Sequence, residues 1–278
     1  MSSDTNMKGS RKRIKPDLGV SETIGFIIIF GITITGIALV TLYGYPALIN
    51  AQADANIRNM ERNMIVIQSD VNALVYKSVP YKETTMQVSG GVLSVQRPDP
   101  ASSFFIIKDS GVSLLDTVYP DDKFPPGELH FLSDSDNIYV GLENGAVVKR
   151  QADGSVMLSE PRWFIDIGIA SSSTMVITLI QVDSLNSLAN SGISTVQMSI
   201  EPFPIEPGGT NTIDHPIPTG NEVQISITTS DKFYNAWKNY FENSHQMTKI
   251  PSSDPPTWKK TGVNRVIIKA WKINVINL

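Results

Sequence analysis

The sequence predicts an α+β protein in which a long N-terminal helix, first transmembrane and then amphipathic, precedes a mostly antiparallel β domain. Two observations indicate the helix. No charged residue lies between Glu22 and Asp54, and beyond that stretch apolar residues recur every three or four positions. Short apolar runs separated by glycine-containing turns indicate the β domain, which we expect to be a β-sandwich or a partly open barrel.

The chain has 278 residues, of which 41% are apolar, enough for one large domain or two modest ones. We divide it into a basic leader (residues 1–19), an apolar helix (20–49), an amphipathic continuation of that helix (50–80) and a β-rich domain (81–278). The basic residues of the leader are Lys8, Arg11, Lys12, Arg13 and Lys15.

The apolar segment predicts a membrane helix. About 25 largely apolar residues follow Ile24, and a helix of that length crosses a hydrocarbon core of about 30 Å. The basic flank favours a cytoplasmic N-terminus, which leaves the β domain outside the cell. A secretory signal is shorter and ends at a small-residue cleavage site, for which Ala51-Gln52-Ala53 is the candidate here.

Five residues of this segment are candidates for helix packing and assembly. Gly25, Gly31 and Gly36 are small enough to let apolar helices approach closely. Pro46 removes a backbone donor and crowds the preceding turn, so we expect a kink there. Glu22 is a lone carboxylate at the edge of an apolar helix, which is costly unless it is paired, and this cost makes it a functional candidate.

The amphipathic segment carries one apolar seam over nearly three heptads. The seam residues alternate at spacings of three and four: Ile57, Met60, Met64, Ile67, Val71 and Leu74. Neither glycine nor proline interrupts residues 51–79, and Pro80 marks the expected end of the helix. We expect the seam to pack on a globular domain.

The pattern in the remainder of the chain predicts short strands. Three pairs predict tight hairpin turns: Gly90-Gly91, Asn144-Gly145 and Asp153-Gly154. Further strands are expected at residues 104–107, 163–169, 175–182, 195–200, 223–229 and 263–275. Residues 201–219 are rich in proline and glycine and predict a long surface loop.

One short helix is expected inside the β domain, at residues 231–243 with Ser230 as its cap. One face of that helix is aromatic and consists of Phe233, Trp237, Tyr240 and Phe241. Such a stripe either packs in the core or binds a sugar or a partner, and core packing is the more common outcome.

The sequence predicts neither a catalytic site nor a bound cofactor or metal, so we do not expect an enzyme. There is no cysteine, and the histidines His130, His215 and His245 are far apart. Glycine-rich phosphate loops and nucleophile elbows are absent from the sequence. Asp134–Asn137 starts like a calcium loop, but Ile138 stands where an oxygen ligand is required. The formal charge of −4 argues against a nucleic-acid partner.

The segment Gly19-Val20-Ser21-Glu22-Thr23-Ile24-Gly25-Phe26-Ile27 resembles the N-terminus of archaeal type IV pilins, which carry a class III signal peptide. The resemblance implies that a prepilin peptidase cuts between Gly19 and Val20 and leaves the apolar helix on the mature protein. Glu22 is third after this cut, whereas bacterial pilins place a glutamate fifth, where this chain has Ile24. We therefore treat pairing of Glu22 with a neighbour's new amino terminus as a hypothesis.

The resemblance implies a structural subunit of a surface filament or pseudopilus, with the apolar helix in the filament core and the β domain outside. The expected partners are prepilin peptidase, membrane lipid before assembly, and further copies of this chain or related pilins afterwards. A single-span surface protein whose β domain binds an unspecified ligand or envelope partner without polymerising is the alternative. An anchored extracellular enzyme is a third hypothesis, for which the sequence offers no catalytic constellation.

Overall fold

The computed structural model describes residues 18–115, 122–134, 137–152, 154–167, 173–205, 209–228 and 232–278, with side chains from Glu22 onwards. Most of the basic leader, Ser230 and Asp231, and parts of two predicted turns (Asp153, and Ser135 with Asp136) lie outside the described residues. The chain divides into two compact units, one ending at Gln52 and the other comprising Ala53–Leu278.

The N-terminal part of the chain is helical. Helix α1 comprises Leu18–Leu39, a π-helical turn comprises Val40–Gly44, and helix α2 comprises Tyr45–Lys77. In the π turn the backbone amide of Tyr45 donates to the carbonyl of Val40, five residues back. The turn lies directly before Pro46, whose ring would otherwise crowd the carbonyl four residues earlier. A π-helical turn thus precedes Pro46, and the kink expected at Pro46 stays a prediction.

Helix α2 ends three residues before Pro80. Its last residue is Lys77, and Ser78 has a positive φ of 54°. A residue in this left-handed conformation is a common way for a helix to stop, since the chain can no longer continue the helical hydrogen bonding. Proline two residues later cannot restart it.

Fifteen strands are described. In chain order they are β1 (Tyr81–Gln96), β2 (Phe105–Asp109), β3 (Val112–Ser113), β4 (Glu128–Ser133), β5 (Tyr139–Glu143), β6 (Ala146–Gln151), β7 (Gly154–Ser159), β8 (Phe164–Ile167), β9 (Ser173–Asp183), β10 (Ala189–Pro202), β11 (Thr212–Pro216), β12 (Glu222–Ile227), β13 (Thr248–Lys249), β14 (Thr257–Thr261) and β15 (Arg265–Asn277).

The described strands form two sheets. The larger has the order β7-β6-β5-β4-β1-β10-β15-β9-β8, with β11 also paired to β15, and the smaller has the order β13-β14-β12-β2-β3. The pairing of β15 with β9 is parallel, and the other described pairings are antiparallel. The α+β class with a mostly antiparallel β domain is thus confirmed.

The larger sheet is covered on both faces. In β9, Leu179 belongs to one apolar cluster and its neighbour Ile180 to another, and successive strand residues point to opposite faces. The cluster containing Ile180 includes the seam of α2. The cluster containing Leu179 includes the smaller sheet and the short helix α3 (Tyr234–Asn239). The β domain therefore has two cores that share one sheet.

The structure corrects the prediction at Gly90-Gly91. These residues are not a hairpin turn, because β1 runs unbroken through them, with a register shift against β10 between Val88 and Leu93. Gly90 takes a φ of +70°, and a Cβ on Gly91 would lie 2.2 Å from the backbone oxygen of Leu132. The two glycines therefore form a bulge. A bulge favours glycine for the same reason as a tight turn, because glycine adopts a positive φ and allows a close backbone approach.

The hairpin predicted at Asn144-Gly145 is confirmed between β5 and β6. Both residues have positive φ, 46° and 77°, as a two-residue turn that follows the sheet twist requires. The Asn144 side-chain oxygen accepts a hydrogen bond of 2.8 Å from the backbone amide of Ile180. The turn is therefore also hydrogen-bonded to β9.

Two further predictions need correction. Residues 201–219 are not one long surface loop, because β11 lies within them and Ile205, Ile213 and Ile217 are buried. The helix expected at residues 231–243 is shorter and is followed by a π-helical turn, Tyr240–Ser244. The aromatic stripe of this region is buried in the core, which confirms core packing over an exposed binding face.

Candidate membrane and assembly site

The apolar surface of α1 and the start of α2 is open. Between Ile24 and Ile49 the large apolar side chains are 43% to 72% exposed. A surface of this extent is stable only against lipid or against other apolar chains. Among the described residues, one helical span, Glu22–Lys77, is long and apolar enough to cross a membrane.

Polar groups in this apolar stretch are satisfied within the helix. The Thr33 hydroxyl donates to the carbonyl of Ile29, and the Thr35 hydroxyl donates to the carbonyl of Gly31, both at 2.8 Å. A hydroxyl bonded in this way presents little polarity to lipid or to a neighbouring helix.

A shallow, mostly apolar groove runs along one face of α1 above Gly31 and Gly36. Its lining residues are Ile28, Gly31, Ile32, Thr35, Gly36 and Leu39. A Cβ placed on Gly31 or Gly36 would meet no atom within 4 Å, so the space above both glycines is open. Gly25 lies three turns before Gly36 and therefore on nearly the same face. The three predicted glycines thus include two that line the groove and one at its margin.

Three further predicted site residues lie at the N-terminal end of α1. Gly19 and Val20 lie in the first turn of α1, and Glu22 follows with an exposed side chain. The structure brings neither a basic side chain nor a second carboxylate to Glu22 within the described residues.

The six seam residues of α2 lie in the second unit and are 0% to 4% exposed. They pack in the core that α2 shares with strands of the larger sheet, among them Leu93 of β1 and Leu129 of β4. Burial of six such side chains stabilises the attachment by the hydrophobic effect.

Polar side chains fix the register of this attachment. Gln68, which is buried, donates from Nε2 to the carbonyls of Gly145 at 2.7 Å and Glu160 at 3.0 Å. Lys149 of β6 pairs with Glu61 at 2.8 Å. Because these partners lie at fixed points of the sheet, they select one position of the helix along it.

A buried charged cluster, absent from the sequence prediction, joins β1, β4, β5 and the start of α3. Glu128 is 3% exposed, and its Oε1 accepts hydrogen bonds from Lys232 at 2.5 Å and from the hydroxyl of Tyr139. His130 Nδ1 lies 3.2 Å from the same oxygen. The sequence signal was Glu128 and His130 alternating with apolar residues in β4, which places both on one face of the strand.

The charges of this cluster compensate one another. Burial raises the pKa of Glu128, but nearby His130 and the charge of Lys232 outweigh burial, so the pKa lies below its ordinary value. Burial and the adjacent Glu128 carboxylate raise the pKa of Tyr139, so its hydroxyl stays protonated. The resting cluster therefore holds Lys232 between a carboxylate and a neutral phenol.

One open cleft on the β domain is a candidate ligand site. It lies between the start of β8 and the segment after the second π turn, and its lining includes Trp163, Phe164, Ser244, His245 and Lys260. Burial lowers the pKa of His245, so its imidazole is neutral. Among the described residues, no three histidine or acidic side chains converge to form a metal site.

A family model, DUF7289 (family of unknown function), matches residues 19–275, and the chain belongs to this family. The match includes α1, α2 and all the described strands up to the last residues of β15. Neither a curated protein nor a solved structure matches the chain significantly.

Proposed function

We propose that this member of the DUF7289 family is a structural subunit of an archaeal type IV pilus-like surface filament or pseudopilus, which assembles through its N-terminal helix. The observation that carries the proposal is the open apolar surface of α1, with the groove above Gly31 and Gly36. Such a helix keeps its apolar surface away from water both in lipid and among copies of itself, so assembly costs little hydrophobic free energy.

Two further observations support the proposal. The family match begins at Gly19, the residue before the proposed peptidase cut, and covers helix and β domain together. The apolar helix is therefore a shared part of the family and not an addition to this chain. In addition, α2 is attached to the β domain through a buried seam, so a force on the helix is transmitted to the domain through packed contacts.

Before assembly, the proposal places the chain in the cell membrane as a single span, with its N-terminus in the cytoplasm and its β domain outside. Prepilin peptidase then removes residues 1–19. The mature chain enters the filament beside other copies or related pilins.

The first test is the N-terminus of the membrane-extracted protein, measured by intact mass and by mapping of the N-terminal peptide. A start at Val20 supports the proposal, because only a peptidase of this type cuts ahead of the apolar helix. A start at Met1 or Ser2 favours a plain anchor. A start near Asp54 means ordinary secretion and contradicts the proposal.

The second test is assembly, followed by electron microscopy of sheared surface fractions. Gly31→Leu fills the groove of α1 while the helix stays apolar, so we expect membrane insertion without filaments. Ile37→Leu, on the opposite face, is the matched control and should assemble normally. Glu22→Gln should insert but assemble poorly, and normal filaments from this variant would exclude a role for its charge.

The cleft beside His245 supports the second candidate function, a single-span surface protein that binds a ligand without polymerising. An unprocessed N-terminus together with absence of filaments would favour it. Binding of a ligand that Phe164→Ala abolishes would then assign the cleft, because Phe164 is an exposed aromatic side chain in its wall.

A further inference from the structure

The buried charged cluster contains a nucleophile, an amide and an acid in mutual contact. Lys232 Nζ donates to Gln96 Oε1 at 3.1 Å and to Glu128 Oε1 at 2.5 Å. Gln96 and Glu128 are directly opposite each other on the paired strands β1 and β4. The amine of Lys232 is therefore held beside the side-chain amide of Gln96 and a carboxyl group at the same time.

Lys232 lies against two aromatic rings and beside the Glu128 carboxylate. Its ammonium group lies 4.3 Å from the centre of the Tyr139 ring and 5.9 Å from that of Phe233. Glu128 Oε2 is buried and has no hydrogen-bond partner in the described part of the chain. The Lys232 side chain is 26% exposed and that of Glu128 is 3% exposed, so transfer of one proton from Nζ to Glu128 replaces a partly buried ion pair by two neutral groups.

We propose that Lys232 and Gln96 are joined by an intramolecular isopeptide bond, formed after folding with Glu128 as the proton carrier. A proton moves from Lys232 Nζ to Glu128, and the neutral amine attacks Gln96 Cδ. Glu128 then protonates the amide nitrogen of Gln96 and takes up the remaining proton from Nζ. The Cδ–Nε2 bond breaks, an Nζ–Cδ bond forms, and ammonia leaves, so no oxidant or second reactant is required.

The contact of Lys232 with Gln96 and the space beside it favour such a reaction. Reacting groups held in contact by a fold behave as if at a very high concentration, with effective molarities of about 10⁵ M or more in well-oriented cases. A cavity of about 70 Å³ adjoins the three residues and is lined by all of them. A molecule the size of water occupies about 30 Å³, so ammonia has room to leave.

The link would join distant parts of the chain. Gln96 and Lys232 are 136 residues apart in sequence. A covalent bond between them connects the end of β1 to the start of α3, and so connects the larger sheet to the element that packs on its other face. The chain has no cysteine, and this bond would stabilise the β domain as a disulfide does, because it restricts the unfolded chain.

The test is mass spectrometry of the full-length chain purified in detergent. We expect an intact mass lower than that of the sequence by about 17 Da, the mass of ammonia, after allowance for any N-terminal processing. Trypsin should yield a branched peptide that joins residues 83–108 to residues 163–238, because Lys232 in amide linkage is not cleaved. An unmodified mass, with a free peptide ending at Lys232, would overturn the proposal.

Three variants locate the chemistry. Lys232→Arg and Glu128→Gln should restore the full mass, because the first lacks the nucleophile and the second lacks the proton carrier. Lys149→Arg alters a lysine that pairs with Glu61 at 2.8 Å, and this variant should keep the mass deficit of about 17 Da.

A succinimide at Asn144-Gly145 also forms with loss of ammonia. That product would appear in the tryptic peptide of residues 124–149, and finding the mass deficit there would overturn the assignment to Lys232 and Gln96.

Discussion

Gln68 of α2 donates a hydrogen bond of 2.7 Å to the carbonyl of Gly145, in the turn that connects β5 to β6. The same amide nitrogen is 3.0 Å from the carbonyl of Glu160. One side chain therefore satisfies two carbonyls at the edge of the larger sheet, and it belongs to a helix that is apolar along the rest of its buried face.

Replacement of this donor tests how strongly it holds α2. Gln68→Leu leaves the buried Gly145 carbonyl without its donor and removes the hydrogen bond to the Glu160 carbonyl, so we expect a loss of about 1–3 kcal/mol in the free energy of unfolding. The measurement is urea denaturation of the detergent-solubilised chain, followed by tryptophan fluorescence, since all four tryptophans lie in the β domain. Ser69→Ala, at an exposed neighbouring position, should change little. Equal effects of the two variants would contradict the assigned role.

The apolar seam can be tested with two isoleucines of the same helix. Ile67 is fully buried against the sheet, and Ile67→Ala should cost about 2–5 kcal/mol of unfolding free energy because it removes buried surface and leaves a cavity. Ile65 is 39% exposed, and Ile65→Ala should cost clearly less. The same denaturation experiment measures both. Similar losses would mean that α2 does not depend on the seam for its attachment.

The bulge in β1 gives a steric prediction. In Gly91→Ala the new Cβ would lie 2.2 Å from the Leu132 carbonyl and 2.6 Å from the Phe131 ring, so strands β1 and β4 must separate. We expect a loss of about 1–3 kcal/mol, the usual cost of overpacking, seen as a lower urea midpoint. Gly154→Ala meets no atom closer than 3.9 Å and is the control. A neutral Gly91→Ala would show that this part of the sheet is loosely paired.

His245 gives a prediction on pH. Burial lowers its pKa from 6.5; nearby Glu160 acts in the opposite direction and Lys260 in the same direction as burial. Its ring also packs edge-on against Tyr240 at 4.7 Å. As the pH falls below about 6.5, the unfolded chain takes up a proton that the folded chain does not, so stability falls.

The measurement is the Tm between about pH 7.5 and pH 5, a range above the ordinary pKa of aspartate and glutamate. We expect the wild-type Tm to decrease over this range and the Tm of His245→Gln to decrease less. A Tm that rises on acidification, or an identical decrease in the variant, would exclude His245 as the group responsible.

Much of the architecture follows from local pattern. The uncharged stretch after Glu22, the seam from Ile57 to Leu74 and the turn at Asn144-Gly145 each depend on residues close in sequence. Helical periodicity and positive-φ turns are local properties, so they can be read before the fold is known. The apolar character of α1 is also a local property, so the sequence predicts it directly.

The sequence alone thus determined the order of helix and β domain, the buried face of α2 and the apolar character of α1. Only the tertiary structure decided that Gly90-Gly91 is a bulge, that residues 201–219 contain β11, and that Lys232 meets Gln96 and Glu128. Bulges and turns require the same glycines, and strand pairing depends on a partner elsewhere in the chain. Lys232 and Gln96 are 136 residues apart, and no sequence periodicity predicts their contact. Only the packing of β1, β4 and the segment around α3 brings the two residues together.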